Sequence, residues 1–221
     1  MTRRRISLGY KILVILSLLT GILLNVMKTT SVKSILSYYT LQSNIICLVA
    51  FICFAFLEIR KKSYKTEGYY LVKGALIIAI FITAFVYRVA LAPVGFEMDS
   101  LHRSISNKAF ANLLVHTVSP ILVILDYFLF DEKGNFRCYY PVMWLAIPLN
   151  YVFYVYAYGA SGGTFFSIGG SKKYAYFFLD YEKIGYSGVA KWLIIMSLFI
   201  LVISYVLVFI DSKMRSRKEL E

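Results

Sequence analysis

Six apolar runs, each long enough to cross about 30 Å of hydrocarbon, constrain this chain more than any other feature. They cover roughly residues 9–27, 38–59, 70–92, 109–130, 140–159 and 186–210. In lipid, a segment must satisfy its own backbone hydrogen bonds, and a helix does so. The 221 residues are 59% hydrophobic, which excludes an ordinary soluble domain. The sequence therefore predicts an all-α polytopic membrane protein, with a single bundle of six transmembrane helices over 1–221.

Basic residues are distributed unevenly between the two sides that this topology defines. Fourteen Lys and Arg side chains lie in 1–11, 60–65, 131–139 and 211–221, against seven in 28–37, 93–108 and 160–185. The positive-inside rule then predicts that both termini are cytoplasmic and that 160–185 is a long outer loop. Topology and anionic headgroups account for the net charge of +12, so we expect the lipid bilayer as a partner and no nucleic acid.

The sequence shows no pattern for disulfides, metal sites or cofactor sites. Cys47 and Cys53 lie within the second predicted span, and Cys138 lies in a predicted cytoplasmic loop, so we expect no structural disulfide. We find no metal-ligand cluster, phosphate-binding glycine loop or cofactor fingerprint, and we expect neither a metal nor a cofactor.

An imidazole lies inside the fourth apolar run, about a third of the way along it. Ionisable groups in a membrane helix are costly, so His116 is a candidate functional residue. Asn112, Ser119 and Asp126 fall on the same helical face. Hydrogen bonding between helices is the favoured interpretation of Asn112 and Ser119, and Asp126 is expected to anchor the inner end of the bundle by bonding to a neighbouring helix.

The second apolar run opens on a polar patch, YYTLQSNII, which contains Thr40, Gln42 and Asn44. A threonine here often bonds only to its own helix. The predicted topology, however, brings this patch to the same outer layer as His116, at 1.5 Å of rise per residue. Spacing permits these residues to meet and does not require it.

Three further features complete this outer layer. Arg88 ends the third run near the outer boundary, and Asp180 lies in the 160–185 loop on the same side. The length and aromatic content of that loop favour a cap over a cavity. Pro120 and Pro148 predict kinks in the fourth and fifth helices, which also open space between neighbours.

The same stretches resemble the androgen-induced protein 1 family, which also includes the androgen-dependent TFPI-regulating protein, and in particular its bacterial relatives. YYTLQSNII, LLVHTVSPILVILDYFLF and YAYFFLDYEKIGY carry the resemblance in order, over about 40–210. The family's threonine follows an aromatic residue and precedes an Asp or Asn, as Thr40 does within 38–44. Its histidine precedes a proline in the next-but-one helix, as His116 precedes Pro120.

The resemblance implies a multi-pass membrane hydrolase, here of a bacterial plasma membrane, that cleaves fatty acid esters of hydroxy fatty acids or related fatty-acyl esters. It implies Thr40 as nucleophile and His116 as base, in the outer half of the membrane. Asn44, Gln42 or Arg88 then supply oxyanion donors, and Asn112 orients the imidazole.

Two other functions are compatible with the sequence. In a transporter or proton-coupled channel, His116, Asp126 and Arg88 would form a polar path through the bundle. In a lipid-binding or scaffolding protein, every one of these polar groups would be structural.

Overall fold

The computed structural model describes residues 2–27, 29, 31–60, 64–94, 105–167 and 170–215. Helices dominate, as predicted, and a single short antiparallel hairpin is the only sheet in the described part. The helices are α1 Thr2–Val26, α2 Val32–Leu36, α3 Tyr39–Ile59, α4 Glu67–Val86, α5 Ile105–Leu113, α6 Ser119–Phe130, α7 Tyr140–Trp144, α8 Ala146–Ala160 and α9 Tyr181–Lys213; the strands are β1 Phe165–Ser167 and β2 Gly170–Lys172.

Five of the described helices are long and apolar enough to cross a membrane. They span Arg3–Val26, Tyr39–Ile59, Glu67–Leu91, Ala109–Phe130 and Tyr181–Lys213. Large apolar side chains remain exposed along their outer faces, as on a surface that lipid covers. Five of the six predicted spans are thus confirmed as helices of membrane-spanning length, although the first and last begin earlier than predicted.

The remaining predicted span, 140–159, differs from the expected single helix. It consists of α7 and α8, which join at Leu145. Pro148 has no N–H to donate to the carbonyl of Trp144, which explains a break at this point. At 1.5 Å per residue, the 15 residues of α8 measure about 22 Å, less than the hydrocarbon thickness. A sixth crossing by α7 and α8 together remains a prediction.

Proline also reshapes two long helices, by creating a π-helical turn ahead of it. α4 continues through a π segment at Tyr87–Leu91, and α5 joins α6 through a second one at Leu114–Val118. At the end of each, an amide N–H donates to the carbonyl five residues back, and a proline, Pro93 or Pro120, follows directly. A proline cannot continue the α-helical bonding pattern, so the backbone widens by one residue before it.

The centre of the bundle is formed by α1, α3, α4 and the α5–α6 helix, while α7, α8 and α9 pack around it. The apolar stretch of α9 is only 17% buried, against 50% for α4, so α9 is peripheral. Ser17 on α1 and Ser119 on α6 share a hydrogen bond of 2.8 Å. Ser119 is therefore a helix-to-helix contact, as predicted.

The described residues of 161–180 (161–167 and 170–180), here called the cap segment, fold over the end of the bundle where α3 begins. The Tyr38 hydroxyl donates to the carbonyl of Phe166 over 2.8 Å, and the Phe166 amide donates to the Ser34 hydroxyl over 2.7 Å. The Tyr156 hydroxyl donates to the Leu179 carbonyl over 3.0 Å. The expectation that the 160–185 loop covers a cavity is confirmed, and its hairpin is an addition that the sequence pattern did not predict.

Candidate active site beneath the cap segment

A largely apolar cavity lies between α3, α4, α8, α9 and the cap segment. It contains about 710 Å³ of empty space, part of it open to the surroundings. Its lining is mainly aliphatic and aromatic, and Thr40, Thr83 and Ser197 provide the few aliphatic hydroxyl groups. A concave, apolar site with few polar groups is typical of a small-molecule site, and here it suits a hydrocarbon chain.

Thr40 lies on the wall of this cavity, in the first turn of α3, and is only 4% exposed. Its hydroxyl interacts with the phenol of Tyr176, which descends from the cap segment. Burial raises the pKa of Tyr176 to about 12, so this phenol is protonated at neutral pH. The Tyr176 side chain also interacts with Tyr151, whose hydroxyl donates to the Ser37 carbonyl over 3.2 Å. The polar side of the cavity is thus a short tyrosine network that ends on Thr40.

His116 lies in the second π segment and is 3% exposed. Its Nδ1 is 3.4 Å from the carbonyl oxygen of Thr83. A carbonyl only accepts hydrogen bonds, so in the neutral imidazole the proton is on Nδ1 and a lone pair is on Nε2. Within the described part of the chain, Nε2 is buried and has no hydrogen-bond partner. His116 therefore presents an unused base.

The two π segments meet at this imidazole. The Tyr87 ring stacks on His116 with 3.8 Å between ring centroids and 12° between planes. The Tyr87 hydroxyl accepts a 3.2 Å hydrogen bond from the Asn112 amide. Asn112 therefore bonds to a neighbouring helix, as the sequence favoured, and it reaches the imidazole only through Tyr87 and does not orient it directly. π-helical turns are frequent at functional sites, and here one supplies the imidazole and the other the ring that holds it.

Thr40 and His116 share no direct hydrogen bond. A side chain of α3 instead joins the turn that contains Thr40 to the turn that contains His116. The Asn44 amide donates to the carbonyl of Thr40 over 2.7 Å and to that of Val115 over 3.3 Å. This one side chain therefore fixes the backbone of the threonine to the residue that precedes the histidine.

A second connection runs through Ser43. Its hydroxyl donates to the Thr40 carbonyl over 3.0 Å and lies 2.6 Å from the Thr83 hydroxyl. Thr83 in turn contacts His116 through its carbonyl and lines the cavity. His116 itself is not among the lining residues, but Thr83 and Tyr87, its two partners, both are.

Two buried acceptors at this junction have no partner among the described residues. They are Asn44 Oδ1 and His116 Nε2. A buried polar atom without a hydrogen bond costs about 1–3 kcal/mol, so such atoms are uncommon unless they have a function. Their proximity along one hydrogen-bonded connection marks this part of the bundle as the candidate site.

Three other predicted site residues lie outside the cavity. Gln42 lines a different groove, between α3 and α8. Arg88 donates to the Thr117 hydroxyl over 2.7 Å at an exposed position. Asp180 precedes α9 and pairs with Lys183 at 3.3 Å. The structure therefore brings Thr40, Asn44, Asn112 and His116 into one connected region. It leaves Gln42 and Asp180 out, and Arg88 reaches this region only through Thr117, next to His116.

Asp126 lies near the opposite end of the bundle, inside a network of buried charges. It forms an ion pair and hydrogen bond with Lys73 and lies 3.5 Å from Lys11, which pairs with Glu58 at 3.1 Å. Asp131 pairs with Lys65 at 2.9 Å and with Lys73 at 3.5 Å. The prediction that Asp126 anchors this end through neighbouring helices is confirmed. In this network three lysines balance three carboxylates, and their ion pairs join neighbouring helices.

Sequence reasoning missed several of these residues. Lys11, Glu58 and Lys73 lie inside predicted membrane spans, and the argument that selected His116 applies equally to them. Tyr176 had no such signal, because it is one of 19 tyrosines and its role depends on how the cap segment folds. The π segment that holds Tyr87 could be recognised only from Pro93, which follows that segment as Pro120 follows the one that holds His116.

Comparisons with protein-family models, curated proteins and solved structures return no match for this chain.

Proposed function

We propose that the protein is a membrane-embedded hydrolase of fatty-acyl esters, with Thr40 as nucleophile and His116 as general base. One observation carries the proposal: a buried threonine hydroxyl opens on a capped apolar cavity, and an imidazole with a free Nε2 is fixed to the same helical turn. The cavity supplies space for an acyl chain, and the two side chains supply the chemistry of an acyl transfer. The resemblance to the androgen-induced protein 1 family supports the same pair.

The reaction follows from this pair in two halves. In the first, Thr40 Oγ attacks the ester carbonyl carbon while His116 Nε2 takes its proton, and the alcohol leaves with that proton as the acyl-threonine ester forms. In the second, His116 takes a proton from water, which attacks the carbonyl carbon of the acyl-threonine, and the imidazolium returns that proton to Thr40 Oγ as the ester bond to threonine breaks. The products are a fatty acid, an alcohol and the regenerated Thr40 hydroxyl.

The reactive arrangement requires one change from the structure described here. The Thr40 hydroxyl interacts with Tyr176 and has to turn, or use one water molecule, to reach His116. Catalytic hydrogen bonds commonly form only when substrate is bound. Tyr176 is also the best-placed oxyanion donor, because its phenol is protonated and adjoins Thr40. The Asn44 amide is engaged with two carbonyls instead.

The membrane arrangement belongs to the same proposal: six crossings, both termini cytoplasmic, and the cap segment and active site in the outer half. Lys11 is buried in the bundle and does not report on topology. Without it, thirteen basic residues on the proposed inner side still exceed seven on the outer side. The proposed location in a bacterial plasma membrane rests on the family resemblance.

The test is turnover of a fluorogenic long-chain ester by purified protein in detergent micelles. We expect Thr40→Ala and His116→Ala each to lower turnover about 10²-fold or more, while Thr40→Ser retains activity because it keeps the hydroxyl. Matched controls are Thr20→Ala, at an exposed position on α1, and His102→Ala, which removes the only other histidine. Wild-type turnover equal to that of Thr40→Ala and His116→Ala would refute the proposal.

A further inference from the structure

A second space adjoins the capped cavity, on the flank of the bundle between α3 and α8. It contains about 700 Å³ of empty space, and its lining includes Gln42, Ile46, Ile147, Asn150 and Tyr154. Ile46 is 44% exposed and Asn150 is also exposed, so the groove opens sideways between two helices. On a bundle in a membrane, that flank faces lipid.

Two tyrosines separate this groove from the capped cavity. Tyr39 and Tyr151 line both spaces and contact each other edge to face, with 5.1 Å between ring centroids. The Tyr39 hydroxyl is buried and, within the described part of the chain, has no hydrogen-bond partner. The partition is therefore one aromatic pair thick, and it carries a polar group with unused capacity to bond a ligand.

The groove is largely apolar, and its few polar groups are uncharged. No Lys, Arg, Asp or Glu is among its described lining residues. The Asn150 amide donates only to the Ala146 carbonyl of its own helix, which leaves its oxygen available. No described side chain forms a hydrogen bond with the Gln42 carboxamide. Such groups match hydroxyl and ester oxygens, whereas a carboxylate or phosphate would lie there without a countercharge.

We infer that this groove is a lipid-binding site for the uncharged alcohol part of an ester whose acyl chain occupies the capped cavity. This inference rests on the proposed function, because it places the ester bond at Thr40. Thr40 lines the capped cavity and directly follows Tyr39, which lines both spaces. The ligand class is a neutral lipid with free hydroxyl groups, such as a monoacylglycerol. The tyrosine pair then has to move apart for the ester to bridge both sites.

The experiment is photo-crosslinking in nanodiscs with two probes, a diazirine-bearing monoacylglycerol and the fatty acid of the same chain. The protein is the Thr40→Ala variant, which prevents turnover of the probe, and the crosslinked peptides are mapped by mass spectrometry. We expect the monoacylglycerol to label Gln42, Ile46, Ile147 and Asn150, which line the groove and not the capped cavity, more strongly than the fatty acid does. Each hydrogen bond lost corresponds to about fivefold in affinity, so Gln42→Leu with Asn150→Leu should lower this labelling at least fivefold.

Asn135→Leu is the matched control, because it makes the same chemical change in the loop at the opposite end of the bundle. Thermal unfolding in the same micelles verifies that each variant is folded. Unchanged labelling in the folded double variant, or fatty acid labelling equal to that by the monoacylglycerol, would overturn the inference. If the groove is labelled as expected but the wild type cleaves no ester, the proposed catalysis fails and the binding site stands.

Discussion

Replacing Asp126 by asparagine should destabilise the bundle more than any change at the proposed catalytic residues. Asp126, Lys11 and Lys73 all have fully buried side chains, and the carboxylate of Asp126 contacts both ammonium groups. Asp126→Asn keeps the shape and removes the charge that offsets two buried cations. Breaking a buried ion pair costs about 3–5 kcal/mol, because an uncompensated charge stays in the interior.

The remaining contacts set where in that range the loss should fall. Lys73 keeps Asp131 at 3.5 Å, and Lys11 keeps Glu58 at 3.1 Å. We therefore expect about 3 kcal/mol for Asp126→Asn, at the lower end. Asp126→Leu combined with Lys73→Met removes one charge of each sign and leaves two balanced pairs. It should lie within about 1 kcal/mol of the wild type.

The assay is reversible unfolding in mixed micelles with increasing denaturing detergent, followed by tryptophan fluorescence. Trp144 is buried against the bundle and donates to the Leu71 carbonyl over 2.9 Å, so its emission reports loss of packing. Glu182→Gln, which breaks the exposed Lys173–Glu182 pair, is the control and should leave the midpoint unchanged. A loss below about 1 kcal/mol for Asp126→Asn, or a double variant no more stable than the single one, contradicts the reasoning.

Three further predictions concern the candidate site. Pro120→Ala restores a backbone N–H after the π segment and should reposition His116. Turnover should then fall about tenfold or more, while the unfolding free energy changes by less than about 1 kcal/mol. Unaltered turnover would exclude this role for the π turn. Tyr87→Ala removes the ring stacked on His116 and should cost about 1 kcal/mol in unfolding free energy, whereas Tyr87→Phe keeps the stacking and should cost less; equal losses would show that stacking is not the contribution. Burial raises the pKa of Tyr176 from 10.0 to about 12, so the contribution of its protonated phenol to stability is complete below pH 10 and is lost as pH rises towards 12. The unfolding midpoint of Tyr176→Phe should therefore fall less over this pH range than that of the wild type. Parallel plots of midpoint against pH for the two proteins would contradict this.

The sequence was most informative where one local property decides the outcome. Hydropathy is averaged over neighbouring residues, so it located five spanning helices. Most of their ends lie within a few residues of the predicted positions. It also placed Asp126 and Ser119 on the buried face of their helix, where both bind other helices. Pro120 and Pro148 correctly marked points of irregular backbone, since a missing N–H acts within one turn.

Features that depend on contacts between distant segments were beyond the sequence. The spacing of Thr40 and His116 allowed them to meet, but nothing local indicated that Asn44 would join Thr40 to Val115, 71 residues away from it. The position of Tyr176 depends on the whole cap segment, and that of Tyr87 on a π turn in a different helix. Gln42 lines the groove between α3 and α8, and Arg88 bonds to Thr117 beside His116 and does not line the cavity, neither of which the spacing could indicate.

The most direct measurement of the central claim is the site at which a fluorophosphonate probe modifies the protein. Such a probe reacts with a hydroxyl that an adjacent base activates. Mass spectrometry of the labelled wild type should locate the adduct on Thr40, and His116→Ala should abolish labelling while the variant remains folded. An adduct on another residue, or undiminished labelling of Thr40 in His116→Ala, would contradict the threonine–histidine pair.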